Sequence, residues 1–185
     1  KHFLDLKDLI FADFLNDTPP EFISDSARSL ENRLKGKFKI ANEDLNFETQ
    51  DGQIIPKSLI SFGMTNLGIL QAVLGKNIIN KGSFVFIDEP ESNLHPEWQA
   101  ILASVLVDLA KNGVYVIITT HSSDILKAFD VITQEKKIDK DLLTYYFNPN
   151  GTLLELHNKK YTAIDQARKE LLKTYEKLLV RGYQL

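Results

Sequence analysis

Phe84-Val-Phe-Ile-Asp88-Glu89-Pro90-Glu91-Ser92-Asn93-Leu94-His95-Pro96 is the stretch that decides the fold. Apolar residues 84–87 run straight into two adjacent carboxylates, Asp88 and Glu89. Pro90 and a short polar turn stop the run, and a helix starts near Pro96. A buried strand that carries two acids to its carboxyl end is how a phosphate-splitting protein presents one acid to Mg²⁺ and another to water. The pattern therefore predicts a buried strand over 83–88 with a site at its end.

Downstream, a helix is predicted over 96–111, with Ile101, Leu102, Val105, Leu106 and Leu109 as its core stripe and Gly113 near its C-cap. A second apolar run, 114–119, leads into His121. Two apolar strands joined by a helix imply a right-handed parallel β-α-β unit. Upstream, a helix over 65–74 is expected to bury Leu67, Leu70, Ala72, Val73 and Leu74. Apolar spacing also predicts helices over 3–17 and 22–34, the second closed by Gly36. A hairpin of 38–40 with 45–47 comes next, and then a turn at Asp51-Gly52. Beyond His121 the pattern gives a short helix over 123–130 and a hairpin of 142–148 with 152–156. A last helix over 162–180 opens on a capping-box candidate, Thr162 with Asp165. The fold class is α/β, a parallel β-α-β core with flanking helices and β-hairpins. Residues 1–185 read as a single domain, in which 1–80 and 81–185 are the two parts.

Composition narrows the class. With 43% apolar and 25% charged residues, the 185-residue chain can bury a substantial core. The absence of cysteine excludes a disulfide framework and a thiolate metal site. No apolar run reaches the roughly 20 residues of a membrane span, and an acid at Asp5 interrupts any signal-like start. No membrane partner and a cytoplasmic location are the default expectations. A net charge of −3 argues against a broad phosphate-coating surface.

Three short motifs add specificity. Glu89-Pro90-Glu91-Ser92-Asn93-Leu94-His95-Pro96 fits Glu-Pro-Glu-x-x-Leu-His-Pro at every fixed position. Ser61-Phe62-Gly63 is a Ser-x-Gly entering a helix, and Thr120-His121-Ser122 follows the second strand. In this order and spacing, over about residues 58–126, they resemble the ABC ATPase superfamily, in its SMC-like, RecF-like and OLD-type AAA branch. The resemblance implies the C-terminal portion of a P-loop NTPase (ABC-type) fold. A phosphate-cradling loop, Gly-x-x-x-x-Gly-Lys-Ser/Thr, is not found. Gly36-Lys37 is followed by Phe38 and has Glu31 in place of the first glycine; Gly75-Lys76 is followed by Asn77 and has Leu70 there.

The same resemblance implies the roles. Asp88 would hold Mg²⁺ through water, and Glu89 would orient and polarise the attacking water. His121 would bond the γ-phosphate of ATP and sense its loss. Ser61 and Gly63 would reach the γ-phosphate held by a second protomer, although Phe62 stands where the family usually has a small residue. Ser92, Asn93 and His95 lie in the turn that would cross the seam of a homodimer. Plainer readings stand beside these: Ser61 as an ordinary helix cap, Glu89 as an acid at the N-terminus of the helix near 96. Lys159, Lys160, Arg168, Lys169, Lys173 and Lys177, interleaved with Asp165, Glu170 and Glu176, read as a solvated face. The expected partners are a second protomer, an N-terminal segment that carries the P-loop, and an effector protein or nucleic acid. The chain alone is expected to be inactive. The rival reading is a non-catalytic docking or dimerisation module with an ATPase-like fold.

Overall fold

The computed structural model describes residues 21–41, 44–75, 78–148, 150–154 and 163–182. The helix expected over 3–17 and the residue Thr162 lie outside them. Two compact units are distinguished, one reaching to Thr119 and the other starting at Thr120.

The first described element of the first unit is helix α1 (Glu21–Leu34), whose Ile23, Ser26, Leu30 and Leu34 line one buried face. Lys35 ends it in a left-handed conformation (φ 54°), so the stop lies one residue before the Gly36 expected to supply it. Gly36 instead begins β1 (Gly36–Ala41), which pairs antiparallel with β2 (Asp44–Thr49), Phe38 opposite Phe47. The two rings pack with centroids 5.0 Å apart. A turn at Asp51-Gly52 leads to β3 (Ile54–Ile55), the third strand of this sheet.

Helix α2 (Phe62–Gly75) starts three residues earlier than the apolar pattern suggests, because Ser61 caps it. It buries Gly63, Leu67, Gly68, Gln71 and Leu74, whereas Leu70, Ala72 and Val73 are only half-buried. Gln71 faces inward for a polar reason: its Oε1 accepts the Phe38 N–H at 2.8 Å. That bond satisfies a buried main-chain donor and ties α2 to β1. Gln71→Leu would orphan this donor and is expected to cost about 1–3 kcal/mol, read by chemical denaturation.

Strand β4 (Phe84–Asp88), helix α3 (Pro96–Lys111) and parallel strand β5 (Tyr115–Thr119) form the β-α-β unit. The helix falls where its spacing places it, and α1 packs against both α2 and α3. Leu102, Val105, Leu106 and Leu109 are buried, with Ala103 and Val107 beside them; Ile101 is half-buried. Asn112 and Gly113 (φ 88°) end α3.

The strands depart from expectation in one respect. They are not buried on both faces: Phe84, Phe86, Tyr115 and Ile117 are 63%, 73%, 58% and 40% exposed. Val85, Ile87, Val116 and Ile118, on the other face, are half-buried, and α3 packs on β5. A period-two alternation of this kind marks a sheet with one layer upon it. Among the described residues this sheet has two strands, so each keeps one unpaired edge.

In the second unit, helix α4 (Ser123–Glu135) runs five residues past the end expected for it. Nothing before Lys137, which is left-handed (φ 60°), breaks its pattern. Strand β6 (Tyr146–Phe147) is shorter than the 142–148 expected and pairs with β7 (Leu153–Leu154). Residues 155 and 156 of the expected hairpin lie outside the described residues, and helix α5 (Ala163–Gly182) packs on α4. Arg168 Nε bonds the Ser123 carbonyl at 3.0 Å across that contact. No described helix is long and apolar enough to cross a membrane.

Candidate nucleotide site

Parallel register sets Asp88 beside Thr119 at the carboxyl ends of β4 and β5. With period two, the outward face of the sheet therefore reads Phe84 with Tyr115, Phe86 with Ile117, and finally Asp88 with Thr119. The first pair stacks, ring centroids 4.6 Å apart. At the polar end, the Thr119 hydroxyl donates to Asp88 Oδ1.

Glu89 leaves the strand in a left-handed conformation, φ 45°. A side chain with a Cβ adopts that geometry at a cost of about 1–2 kcal/mol, so neighbouring bonds must hold it there. Its N–H points back to Thr119, 3.1 Å from the carbonyl oxygen and 3.3 Å from Oγ1. Its carbonyl accepts the Ser92 N–H at 3.0 Å, and the Ser92 hydroxyl donates to Glu89 Oε2 at 3.3 Å. Asn93, also left-handed (φ 61°), reverses the chain, and the Leu94 N–H reaches the Glu91 carbonyl at 2.9 Å. Pro90 and Leu94 are buried, and Gln99 Nε2 clamps the Leu94 carbonyl at 3.0 Å. The result is a braced turn that turns both carboxyl groups toward solvent.

His95 closes the turn with a function the sequence did not suggest. Its Nδ1 accepts the Glu97 N–H at 3.4 Å, so His95, and not Glu89, caps α3. Histidine is absent from the usual capping set, and its position just before Pro96 was the available signal.

The Ser-x-Gly segment meets this turn directly. Ser61 Oγ accepts the Met64 N–H at 3.3 Å and its carbonyl accepts the Thr65 N–H at 3.0 Å, which is a helix cap in full. Gly63 is buried against the turn: a Cβ there would overlap the Asn93 carbonyl and stand 2.9 Å from Leu94 Cδ2. Phe62, between them, is exposed. Asp88, Glu89, Ser92 and Thr119 thus form one cluster, and Ser61 and Gly63 rest on Asn93 beside it.

His121 belongs to the second unit and is exposed. Its neighbours are set by local bonds, Ser122 N–H to Thr120 Oγ1 at 3.0 Å and Ile125 N–H to Ser122 Oγ at 3.2 Å, the latter capping α4.

Among the described residues no group of three His, Cys, Asp or Glu side chains could cage a metal ion. A strand-end carboxylate outside any such cage suits magnesium. Magnesium keeps most of its waters and is held by one or two carboxylates together with substrate phosphates. Asp88 fits that use.

These features are those of the SMC/Rad50/OLD-like branch of the AAA/ABC ATPases. The chain belongs to the family described as "AAA domain, putative AbiEii toxin, Type IV TA system", whose model matches residues 7–127. It is similar to a DNA double-strand break repair Rad50 ATPase of Sulfurisphaera tokodaii, with 26% identity over 132 residues, 67% of this chain and 15% of that protein. It is also similar to the Old nuclease of Escherichia phage P2, with 33% identity over 92 residues, 44% of this chain and 16% of that protein. The chain spans about one sixth of the length of these curated relatives.

Proposed function

We propose that these residues are the water-activating half of a dimerising ATPase head that drives shape change in an attached or partner effector. The observation that carries the reading is the acid pair itself: Asp88 at the strand end with one oxygen fixed, and Glu89 held in a strained, braced backbone beside it. Strain of that kind concentrates where a side chain must be aimed.

In this reading Asp88 would hold Mg²⁺ through water, and a bound ion would supply charge neutralisation at the phosphates of ATP. Glu89 orients the attacking water and takes its proton as the water oxygen bonds to the γ-phosphorus and the bond from that phosphorus to the β–γ bridging oxygen breaks, with ADP as the leaving group. His121 donates to the γ-phosphate. Ser61, its lone pair engaged in the cap, offers its hydroxyl proton to the γ-phosphate of the opposite protomer. Ser92, Asn93 and His95 sit at the seam. ATP then joins two protomers, and hydrolysis removes the joint.

The phosphate-cradling loop would come from residues outside these 185. Two features support that. Neither Gly-Lys pair has the required spacing. The bare face of β4 and β5 also offers four large apolar side chains to a further layer, each worth about 1.5–3 kcal/mol when fully covered. The same bare face favours the rival, a docking module without turnover. The names of the relatives, a DNA double-strand break repair ATPase and a nuclease, support an effector that acts on nucleic acid, and phage defence is the other setting proposed for it.

Mg-ATP turnover by the full-length protein and by the 185-residue chain alone tests the proposal. Turnover is expected from the first and not from the second. Turnover by the chain alone would mean that its phosphates bind elsewhere. A silent full-length protein would leave the docking module standing.

A further inference from the structure

We propose that Thr119 is a positioning residue of the ATPase centre, its hydroxyl setting the carboxylate of Asp88 for the metal and the main chain of Glu89 for the water. The proposal rests on the ATPase reading and extends it to a side chain that no motif singles out.

The geometry is specific. Parallel register places Thr119 opposite Asp88, on the same outward face of the sheet. One hydroxyl makes two bonds there, donating to Asp88 Oδ1 and accepting the Glu89 N–H at 3.3 Å. The Glu89 N–H is shared with the Thr119 carbonyl at 3.1 Å. Thr119 therefore holds both acids of the pair, Asp88 by its hydroxyl and Glu89 by its hydroxyl and carbonyl together.

Each bond has a consequence. The last torsion of an aspartate is broad and roughly two-fold, so a free strand-end carboxylate rotates. A hydroxyl fixed on Oδ1 stops that rotation and leaves Oδ2 to face the waters of the metal. Threonine suits the task better than serine, because its branched Cβ leaves few χ1 choices on a strand. The second bond braces the peptide of Glu89 where its φ is 45°. Partners of this kind, behind a metal ligand, typically change metal affinity or activity 10–100-fold when removed.

The test compares Thr119→Val, Thr119→Ala and Thr119→Ser in the full-length protein. Mn²⁺ binding in the presence of ATP is followed by electron paramagnetic resonance, and the Mg²⁺ dependence of turnover is measured alongside. Val and Ala are expected to weaken Mn²⁺ binding and raise the half-saturating Mg²⁺ by about 10-fold or more. Ser should restore most of both, and ATP binding without metal should stay as in the wild type. A purely structural role would lower the melting temperature without moving the metal dependence. Should Val disturb the strand, the Ala and Ser pair decides. Wild-type metal dependence in both Val and Ala would overturn the assignment while leaving the ATPase reading intact. A wild-type protein that binds no Mn²⁺ with ATP would overturn both.

Discussion

Glu89→Gln in the full-length protein is expected to cut Mg-ATP turnover about 10²–10⁴-fold, the range a positioned general base contributes. ATP binding and ATP-dependent pairing of protomers should persist or strengthen. Glutamine keeps the shape of glutamate, so Oε1 can still accept the Ser92 hydroxyl, and the left-handed backbone and its bonds to Thr119 are untouched. What goes is the ability to take a proton from water. Turnover is measured by phosphate release, and pairing by light scattering with and without ATP. A docking module would be indifferent to the substitution in both assays. Loss of pairing together with turnover would mean that Glu89 serves the seam and not the water.

The contrast between Glu89 and Asp88 is what would let the pair divide its labour in the proposed mechanism. Both are exposed and adjacent, but their supports differ. Asp88 still belongs to the strand and answers to the neighbouring strand through Thr119. Glu89 has left the strand: its main chain is still held by Thr119, but its side chain answers to its own turn through Ser92. A shift in the turn would therefore move the Glu89 side chain and leave Asp88 in place. Because Gly63 rests on the same turn, the start of α2 is coupled mechanically to Glu89.

The sequence made this site legible only in part. An apolar run ending in Asp-Glu marked the strand end, and Ser61-Phe62-Gly63 marked a helix start, because both patterns are local. The bare sheet face was not legible. Phe84 to Ile87 read alike whether a second layer lies upon them or not, and only the observed alternation of exposure separates the cases. The cap by His95 was hidden because histidine rarely serves there. Thr119 was hidden because its role depends on register between strands, which the linear order does not give. The left-handed turn at Glu89 is held by main-chain bonds, which leave no trace in residue identity, whereas Asn93 is of a type that enters that region readily. The early start of α2 was missed although its cap, Ser61, was in view; apolar spacing alone set the boundary at 65. Gln71 was passed over because a polar residue on a helix is normally assigned to the outside.

Gly63→Ala should be the most damaging single-methyl change at the site. The added Cβ would overlap the Asn93 carbonyl, a main-chain atom in a turn fixed by bonds on both sides, so no side chain can swing aside to admit it. Overpacking of this kind costs about 1–3 kcal/mol, which at about 2–4 °C per kcal/mol for a chain of this size is a readily measured drop in melting temperature. Gly75→Ala is the internal control. It lies at the other end of the same helix with nothing within 4 Å of an added Cβ, and it should be neutral or stabilising by up to about 1 kcal/mol. Ser61→Ala completes the set, costing about 1 kcal/mol for the lost cap. The three variants separate packing from ligand contact. If Gly63 matters only because a phosphate of the opposite protomer approaches it, Gly63→Ala will melt like Gly75→Ala and fail only in ATP-dependent pairing. If the contact with Asn93 governs, stability falls in the monomer without ATP. Turnover then falls with it, because the turn that carries Ser92 and Glu89 is pushed away from α2.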